Sequence, residues 1–364
     1  MTKVVVAMSG GVDSSVTAAL LKAQGYEVIG MMMRLWSEPG NEAENRCCTI
    51  DAMNLARRMA AQLDIPFYAV DAKDVFRSTV VQYFIDGYAE GITPNPCLLC
   101  NRRIRWEFLL QRALAIGAEF MATGHYARLR IEGNENPASH QSSVIGPIKL
   151  LKAIDDNKDQ SYVLHVLKQE QLEHALFPLG EYTKPEVRQM AREFGLPVAE
   201  RSDSQDLCFL GNGTYSDFLI RNIPEIAQPG PIINAAGDEL GQHNGLAFYT
   251  IGQRRGLGIA AAQPYYVIRK ETGRNALVVG MLDELGQNEL LAHGVNWIAG
   301  TPPENPIRAE IKIRYKALPA WGTVTPMENG RVQVRFDENL RAITPGQAAV
   351  FYAGEVCLGG GIIE

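Results

Sequence analysis

Through the first 130 residues short apolar runs alternate with amphipathic segments. Lys3 to Met8 reads as a strand, and the pattern from Asp13 to Gln24 repeats with the helical period until Gly25 stops it. A second apolar run, Glu27 to Met33, precedes a helix near Thr49 to Leu63, a strand at Phe67 to Val70 and a helix across Asp74 to Tyr88. After the loop Gly91 to Cys100 come a helix from Asn101 to Gly117 and a strand, Phe120 to Ala122, running into Thr123-Gly124-His125. Strands that are apolar throughout and joined through helices are covered on both faces, so the pattern predicts a doubly wound parallel α/β sheet. Ligands of such sheets sit at the carboxyl ends of the strands.

Glu132 to Gly146, rich in Asn, Ser, Gly and Pro, reads as a mobile hairpin tip. Helical patterns return from Gln160 to Gly195; from about Gly211 onward Gly, Pro and short β-rich runs take over, as in small β domains. The expected division is a catalytic α/β domain (1–210), a central β-rich domain (211–300) and a C-terminal barrel-like domain (301–364), with the second break near Gly300 to Pro303.

Composition narrows the class. No window approaches 18 uninterrupted apolar residues and the N-terminus enters a strand at once, so neither a membrane span nor an export leader is expected. Six cysteines (Cys47, Cys48, Cys97, Cys100, Cys208, Cys357) are too few and too uneven for a disulfide framework, which fits a reducing cytoplasm. A net charge of -6 argues against indiscriminate coating of nucleic acid, yet Arg102, Arg103, Arg105 and Arg112 against Glu107 leave a local basic patch suited to phosphates. Arg254 and Arg255 form a second candidate contact.

The strongest chemical signal is Ser9-Gly10-Gly11-Val12-Asp13-Ser14-Ser15, between the first strand and its helix. Two glycines turn the backbone so that several N–H groups converge, the helix start adds partial positive charge, and the serines add donors, which makes a phosphate nest. Asp13 could help hold Mg²⁺ on a pyrophosphate. No Lys follows as a Walker loop requires. The segment resembles the loop of PP-loop ATP pyrophosphatases, which cleave between the α- and β-phosphates and adenylate their substrate.

Thr93-Pro94-Asn95-Pro96-Cys97-Leu98-Leu99-Cys100-Asn101 is a Pro-stiffened loop that sets Cys100 beside a helix start, where a thiol pKa falls, and Cys208 lies in another polar loop. With the PP-loop, this segment, Thr123 to Tyr126, Lys158 to Tyr162 and Gly252 to Leu257 in order, the chain resembles the bacterial tRNA 2-thiouridylases over nearly its whole length. That resemblance implies that ATP is held by Ala7, Met8, Ser9, Gly10, Gly11, Val12, Asp13, Ser14, Met33 and Gly124. It implies Cys100 as nucleophile and Cys208 as carrier of a persulfide received from a donor protein of a cysteine-desulfurase relay. Asn95, Pro96 and Cys97 would meet the target base, and His125, Lys158, Asp159, Gln160, Arg314, Tyr315 and Gln347 the tRNA, with Lys, Glu and Gln tRNAs as acceptors. Many relatives carry Asp where Cys97 stands, so an acid/base role for that carboxylate does not transfer. Cys97, Cys100 and Cys208 could instead hold a [4Fe-4S] cluster with one open iron.

The expected reaction replaces the C2 oxygen of the wobble uridine with sulfur, giving 2-thiouridine, AMP and pyrophosphate. Adenylation turns that oxygen into a leaving group. Sulfur then arrives either by direct attack of the persulfide, with Cys100 closing on Cys208 as a disulfide, or as hydrosulfide freed by Cys100. A PP-loop ligase acting on a small molecule would leave Cys100, Cys208 and the β-rich C-terminal third without a role.

Overall fold

The computed structural model describes residues 1–38, 49–131, 146–201, 207–210 and 213–364. Cys47, Cys48 and the expected hairpin tip at 132–145 lie outside the described residues.

Five parallel strands form the first sheet, β1 (Lys3–Ala7), β2 (Glu27–Arg34), β3 (Phe67–Asp71), β4 (Phe120–Ala122) and β7 (Ala175–Leu176), in the order β3-β2-β1-β4-β7. Val4, Val5 and Val6 have no exposed surface because the strand is covered on both sides, which is why β1 reads as an unbroken apolar run. Val4 and Val6 enter a cluster with Val16 and Ala19 of α1 (Val12–Ala23), Ala52 and Ala56 of α2 (Ile50–Gln62), and Val187 and Ala191 of the helix Lys184–Glu193. Val5 faces the opposite cluster with Trp106, Leu109 and Tyr162. The doubly wound parallel sheet read from the sequence is therefore present. The chain leaves β1 toward β2 and returns on the far side as β4, so β1 and β4 flank the topological switch point.

Two helical runs depart from simple α winding. Residues 73–89 contain a π segment at Arg77–Val81, and residues 96–115 contain one at Cys100–Leu109. Such windings are frequent at functional sites. The expected long helical stretch from Gln160 to Gly195 resolves into two short turns, Ser161–Leu164 and Gln169–Leu172, strand β7 and one longer helix, Lys184–Glu193. The helical period there came from short segments whose apolar residues meet different neighbours.

Beyond the helix Tyr215–Asn222, strands β8 (Gly230–Ile233), β9 (Glu239–His243), β10 (Tyr266–Glu271) and β11 (Ala276–Gly280) form a four-stranded sheet around Ile232, Val267, Leu277 and Val279. Strands β12 (Gly286–Trp297), β13 (Ile307–Lys312), β14 (Ala320–Pro326), β15 (Val332–Arg341), β16 (Ala348–Ala353) and β17 (Val356–Ile363) close into a six-stranded barrel through the β12–β17 pairing. The second break expected near Gly300 thus shifts upstream of β12: Leu290 and Ala292 point into the barrel core, and the Gly and Pro residues at 300–303 make a turn between two barrel strands.

Strands β5 (Ala127–Ile131) and β6 (Ile148–Lys152) form an antiparallel hairpin whose second strand pairs with β17, so part of the N-terminal region extends the barrel sheet. In β16, Ala349 and Phe351 face the barrel core while Ala348, Val350 and Tyr352 face the cluster beneath the parallel sheet. Both sides of this strand are buried, which fixes the barrel against the first domain. Among the described residues no helix is long and apolar enough to cross a membrane.

Candidate active site

The loop after β1 and the loop after β4 lie side by side at the switch point. Gly10 adopts φ +71°, and a Cβ there would stand 2.6 Å from the Ala52 carbonyl oxygen, so only glycine lets the turn pass under α2. Gly11 caps α1. The Ser9 N–H donates to Ser14 Oγ at 3.1 Å, Ser14 Oγ donates to the Gly11 carbonyl at 3.2 Å, and Ser15 Oγ donates to the same carbonyl at 2.9 Å. Gly124 presses on the same turn: a Cβ there would lie 2.9 Å from Asp13 C, Asp13 Cβ and Ser14 N. Residues expected to hold nucleotide are thereby gathered, Ala7 to Ser14 on one side and Gly124 on the other, with Met33 at the end of the adjoining β2. Met8 and Val12 are buried, so they would act through their backbone.

Two cations reach this loop from far along the chain, and sequence reading identified neither. Lys184 Nζ donates to Asp13 Oδ1 at 2.7 Å and to Oδ2 at 2.9 Å, and the Tyr126 hydroxyl donates to Asp13 Oδ1 at 2.9 Å. Arg201 donates to the Gly10 carbonyl at 2.7 Å. Asp13, expected to help hold Mg²⁺, is paired with the Lys184 ammonium in this structure.

The cysteine loop is fixed from the barrel. The Thr93 N–H donates to the Pro345 carbonyl at 2.9 Å, and Gln347 Nε2 donates to the Thr93 carbonyl at 2.8 Å. Gly346, at φ +89°, touches the same segment so closely that a Cβ would meet the Thr93 oxygen at 2.8 Å. The helix begins one turn earlier than expected: Asn95 is its N-cap, its side chain accepting from the Cys97 N–H at 3.2 Å, and Pro96 occupies the first turn. Cys97 is therefore the thiol beside the helix start and Cys100 opens the π segment. Cys97 is exposed, Pro96 is buried, and Asn95 is half-buried.

Cys100 and Cys208 are half-buried and pack against one apolar cluster that includes Phe76, Phe84, Phe209 and Phe218. The two sequence-distant thiols are thus brought to a common wall, and Met33 adjoins it. Among the described residues no three His, Cys, Asp or Glu side chains are grouped to hold a metal ion, so the alternative of a cluster on Cys97, Cys100 and Cys208 finds no support in the side-chain arrangement. The exposed Cys97 looks outward while the other two pack on aromatic rings. Cys357 is core, as expected.

Several residues expected to touch tRNA are occupied in the fold. Asp159 is buried and accepts from the Ala153 N–H at 3.1 Å, the Ser161 N–H at 3.1 Å and Ser161 Oγ at 2.8 Å, so it organises a turn. His125 is buried too. Arg105 can only donate, so its 2.9 Å contact makes Nε2 the acceptor and leaves Nδ1–H to donate to Thr123 Oγ1 at 2.7 Å. Burial first, and Arg105 second, hold the imidazole pKa well below its ordinary value, so the ring is neutral and orients Arg105. Gln160 accepts from the Tyr126 N–H at 3.0 Å, and Lys158 sits in the half-buried turn before it. Arg314 donates to the carbonyls of Ile251 at 3.1 Å and Ala342 at 3.0 Å, tying the central sheet to the barrel. Tyr315 lies near Cys97, its hydroxyl pKa pushed up to about 12 chiefly by burial.

In the basic patch, Arg103 pairs with Glu107 at 2.7 Å, Arg102 stands 3.7 Å from the same carboxylate, and Arg112 lies over the Phe108 ring. Arg254 and Arg255 are exposed on the central domain's glycine loop.

A parallel α/β sheet with a glycine–serine turn at its switch point, an apolar wall carrying two free cysteines and two appended β domains defines a nucleotide-using enzyme of the HUP class. Three family descriptions match in succession: the tRNA methyl transferase HUP domain over residues 2–212, the tRNA methyl transferase PRC-barrel domain over 216–281 and the aminomethyltransferase beta-barrel domain over 287–363. The chain is 45% identical over 364 residues to the tRNA-specific 2-thiouridylase MnmA of Clostridium perfringens, covering 100% of this chain and 98% of that protein. It is 48% identical to the protein of the same name from Roseiflexus castenholzii, covering 100% and 99% of the two chains, and 47% identical to that of Moorella thermoacetica, covering 99% and 98%. The chain belongs to the tRNA-specific 2-thiouridylase family of sulfurtransferases.

Proposed function

We propose that the protein uses ATP to replace the C2 oxygen of the wobble uridine of tRNA with sulfur, through Cys100 and Cys208. The observation that carries this reading is the pairing of a phosphate-shaped turn with two thiols on one apolar wall. The uracil C2 oxygen is a poor leaving group, and the turn formed by Ser9 to Ser14 and Gly124 supports its activation by presenting the α-phosphate of ATP. The C2–O oxygen takes the AMP group, the bond to pyrophosphate breaks, and the uracil N3 proton is given up. A persulfide sulfur on Cys208 then bonds to C2 and AMP departs. The Cys100 thiolate attacks the inner sulfur of Cys208; the resulting disulfide takes the oxidising equivalent, the outer sulfur leaves reduced on C2, and N3 recovers a proton. An anticodon-loop base is single-stranded, so drawing it toward Asn95 and Cys97 costs little.

Lys158, Gln160, Arg314, Tyr315 and Gln347, with Arg105 of the basic helix, are the proposed tRNA contacts; Lys, Glu and Gln tRNAs are the proposed acceptors, and a relay protein charged by a cysteine desulfurase the sulfur donor. Cys97 at the surface supports a base-facing role there without iron. Residues 1–210 would carry the chemistry, with the barrel holding the cysteine loop in place through Gln347.

The ATP products test the reading. Incubated with ATP, tRNA and a persulfide donor, the protein should release AMP and pyrophosphate in a tRNA-dependent manner; ADP and phosphate would contradict it.

A further inference from the structure

Lys184 has no part in the chemistry just described, yet it is 7% exposed and its ammonium sits on Asp13, in the first turn of α1 beside the Ser9–Ser14 turn. Its own helix continues the arrangement. Arg188 donates to the Arg201 carbonyl at 2.9 Å, and Arg201, past the helix end, donates to the Gly10 carbonyl at 2.7 Å, so a second positive group held by this helix meets the phosphate-shaped loop. Burying an ammonium costs several kcal/mol even when it is paired. Docking of the helix does not require that cost, because Val187 and Ala191 already join Val16 and Ala19 in an apolar cluster. A cation kept at the end of a helix dipole, where phosphates bind, has an obvious electrostatic use.

We infer that Lys184 is a phosphate-binding residue of the nucleotide site, neutralising the pyrophosphate portion of ATP, with Asp13 as the carboxylate that orients its ammonium. The loop lacks the lysine of a Walker motif. Lys184 supplies that charge from 171 residues further along the chain, which is why no local motif shows it. The inference rests on the ATP reading of the loop.

Calorimetry on the full chain separates the possibilities, with ATP, inorganic pyrophosphate and adenosine as probes. Loss of a charge-assisted contact to phosphate corresponds to about tenfold to a hundredfold in affinity. Lys184→Met should weaken ATP and pyrophosphate by that factor and change adenosine by less than about twofold. The double variant Lys184→Met/Asp13→Asn, which buries no unpaired charge, should stay weak toward pyrophosphate and serves equally if the single variant does not fold. Recovery of pyrophosphate binding in the double variant, or a parallel loss of adenosine, would show a purely structural ion pair and overturn the inference. Wild-type protein that binds no ATP would refute the nucleotide reading itself, whereas ATP binding unchanged by Lys184→Met would refute only the role of Lys184.

Discussion

Gly124→Ala probes the joint between the two loops at the switch point. The added methyl carbon would stand 2.9 Å from Asp13 C, Asp13 Cβ and Ser14 N, where carbon contacts ordinarily settle at about 3.5–4.0 Å. None of these atoms ends a flexible side chain. They belong to the first turn of α1, which Ser15, Thr17 and Lys184 fix through hydrogen bonds to Gly11, Asp13 and the Asp13 carboxylate. The turn or the end of β4 must therefore recede by about 0.5 Å, and overpacking of this kind costs about 1–3 kcal/mol. If the strain falls on the nucleotide turn, ATP affinity drops by about 5- to 150-fold. Isothermal titration with ATP measures this directly, beside Gly241→Ala as a control, since a Cβ at Gly241 meets nothing within 4 Å. Wild-type ATP affinity in Gly124→Ala would refute the claim that this contact shapes the site.

Cys100→Ser and Cys208→Ser should each abolish sulfur transfer while circular dichroism stays native, and Cys97→Ser should retain transfer, with no iron bound in either form. Gln347→Leu removes the donor to the Thr93 carbonyl and should lower the rate of thiolation while leaving the Kd for ATP unchanged; equal losses in both would place its effect elsewhere. His125 and His165 are buried, with pKa values depressed, that of His165 to about 4. The unfolded chain therefore takes up their protons first. Stability is full above about pH 6.5 and falls below it by up to about 1.4 kcal/mol per pH unit for each ring, so urea unfolding of His125→Gln should show a shallower acid slope than wild type. Asp159→Ala strips three hydrogen bonds from a buried turn and should lower stability by at least about 3 kcal/mol, measured by the same unfolding.

The strand–turn–helix of residues 3–24 was readable because everything that shapes it is local: the apolar run, the paired glycines and the Asp-Ser start. Cys100 and Cys208 stood out for a similar reason, as thiols in polar loops. What joins them was not readable, since the shared wall of Phe76, Phe84, Phe209 and Phe218 is assembled from separate segments. Lys184 escaped notice because an amphipathic helix with basic residues looks alike whether its cations face water or a phosphate turn, and Arg201 because it lies in irregular chain past that helix with no pattern to mark it. The burial of Asp159 was not readable either, because the backbone and hydroxyl donors that close on it come together only in the folded turn. Strand β12 was divided from its barrel because Gly300 and the prolines after it resemble a linker, whereas they turn the chain between antiparallel strands.

The central claim is ATP-driven thiolation of the wobble uridine, and nucleoside mass spectrometry tests it most directly. The purified protein would be incubated anaerobically with tRNA, Mg²⁺, ATP and a persulfide donor, and the tRNA digested and its modified base mapped. The account predicts 2-thiouridine at the wobble position, absent without ATP and matched by AMP. Modification at another position, or 2-thiouridine formed equally well without ATP, would contradict it.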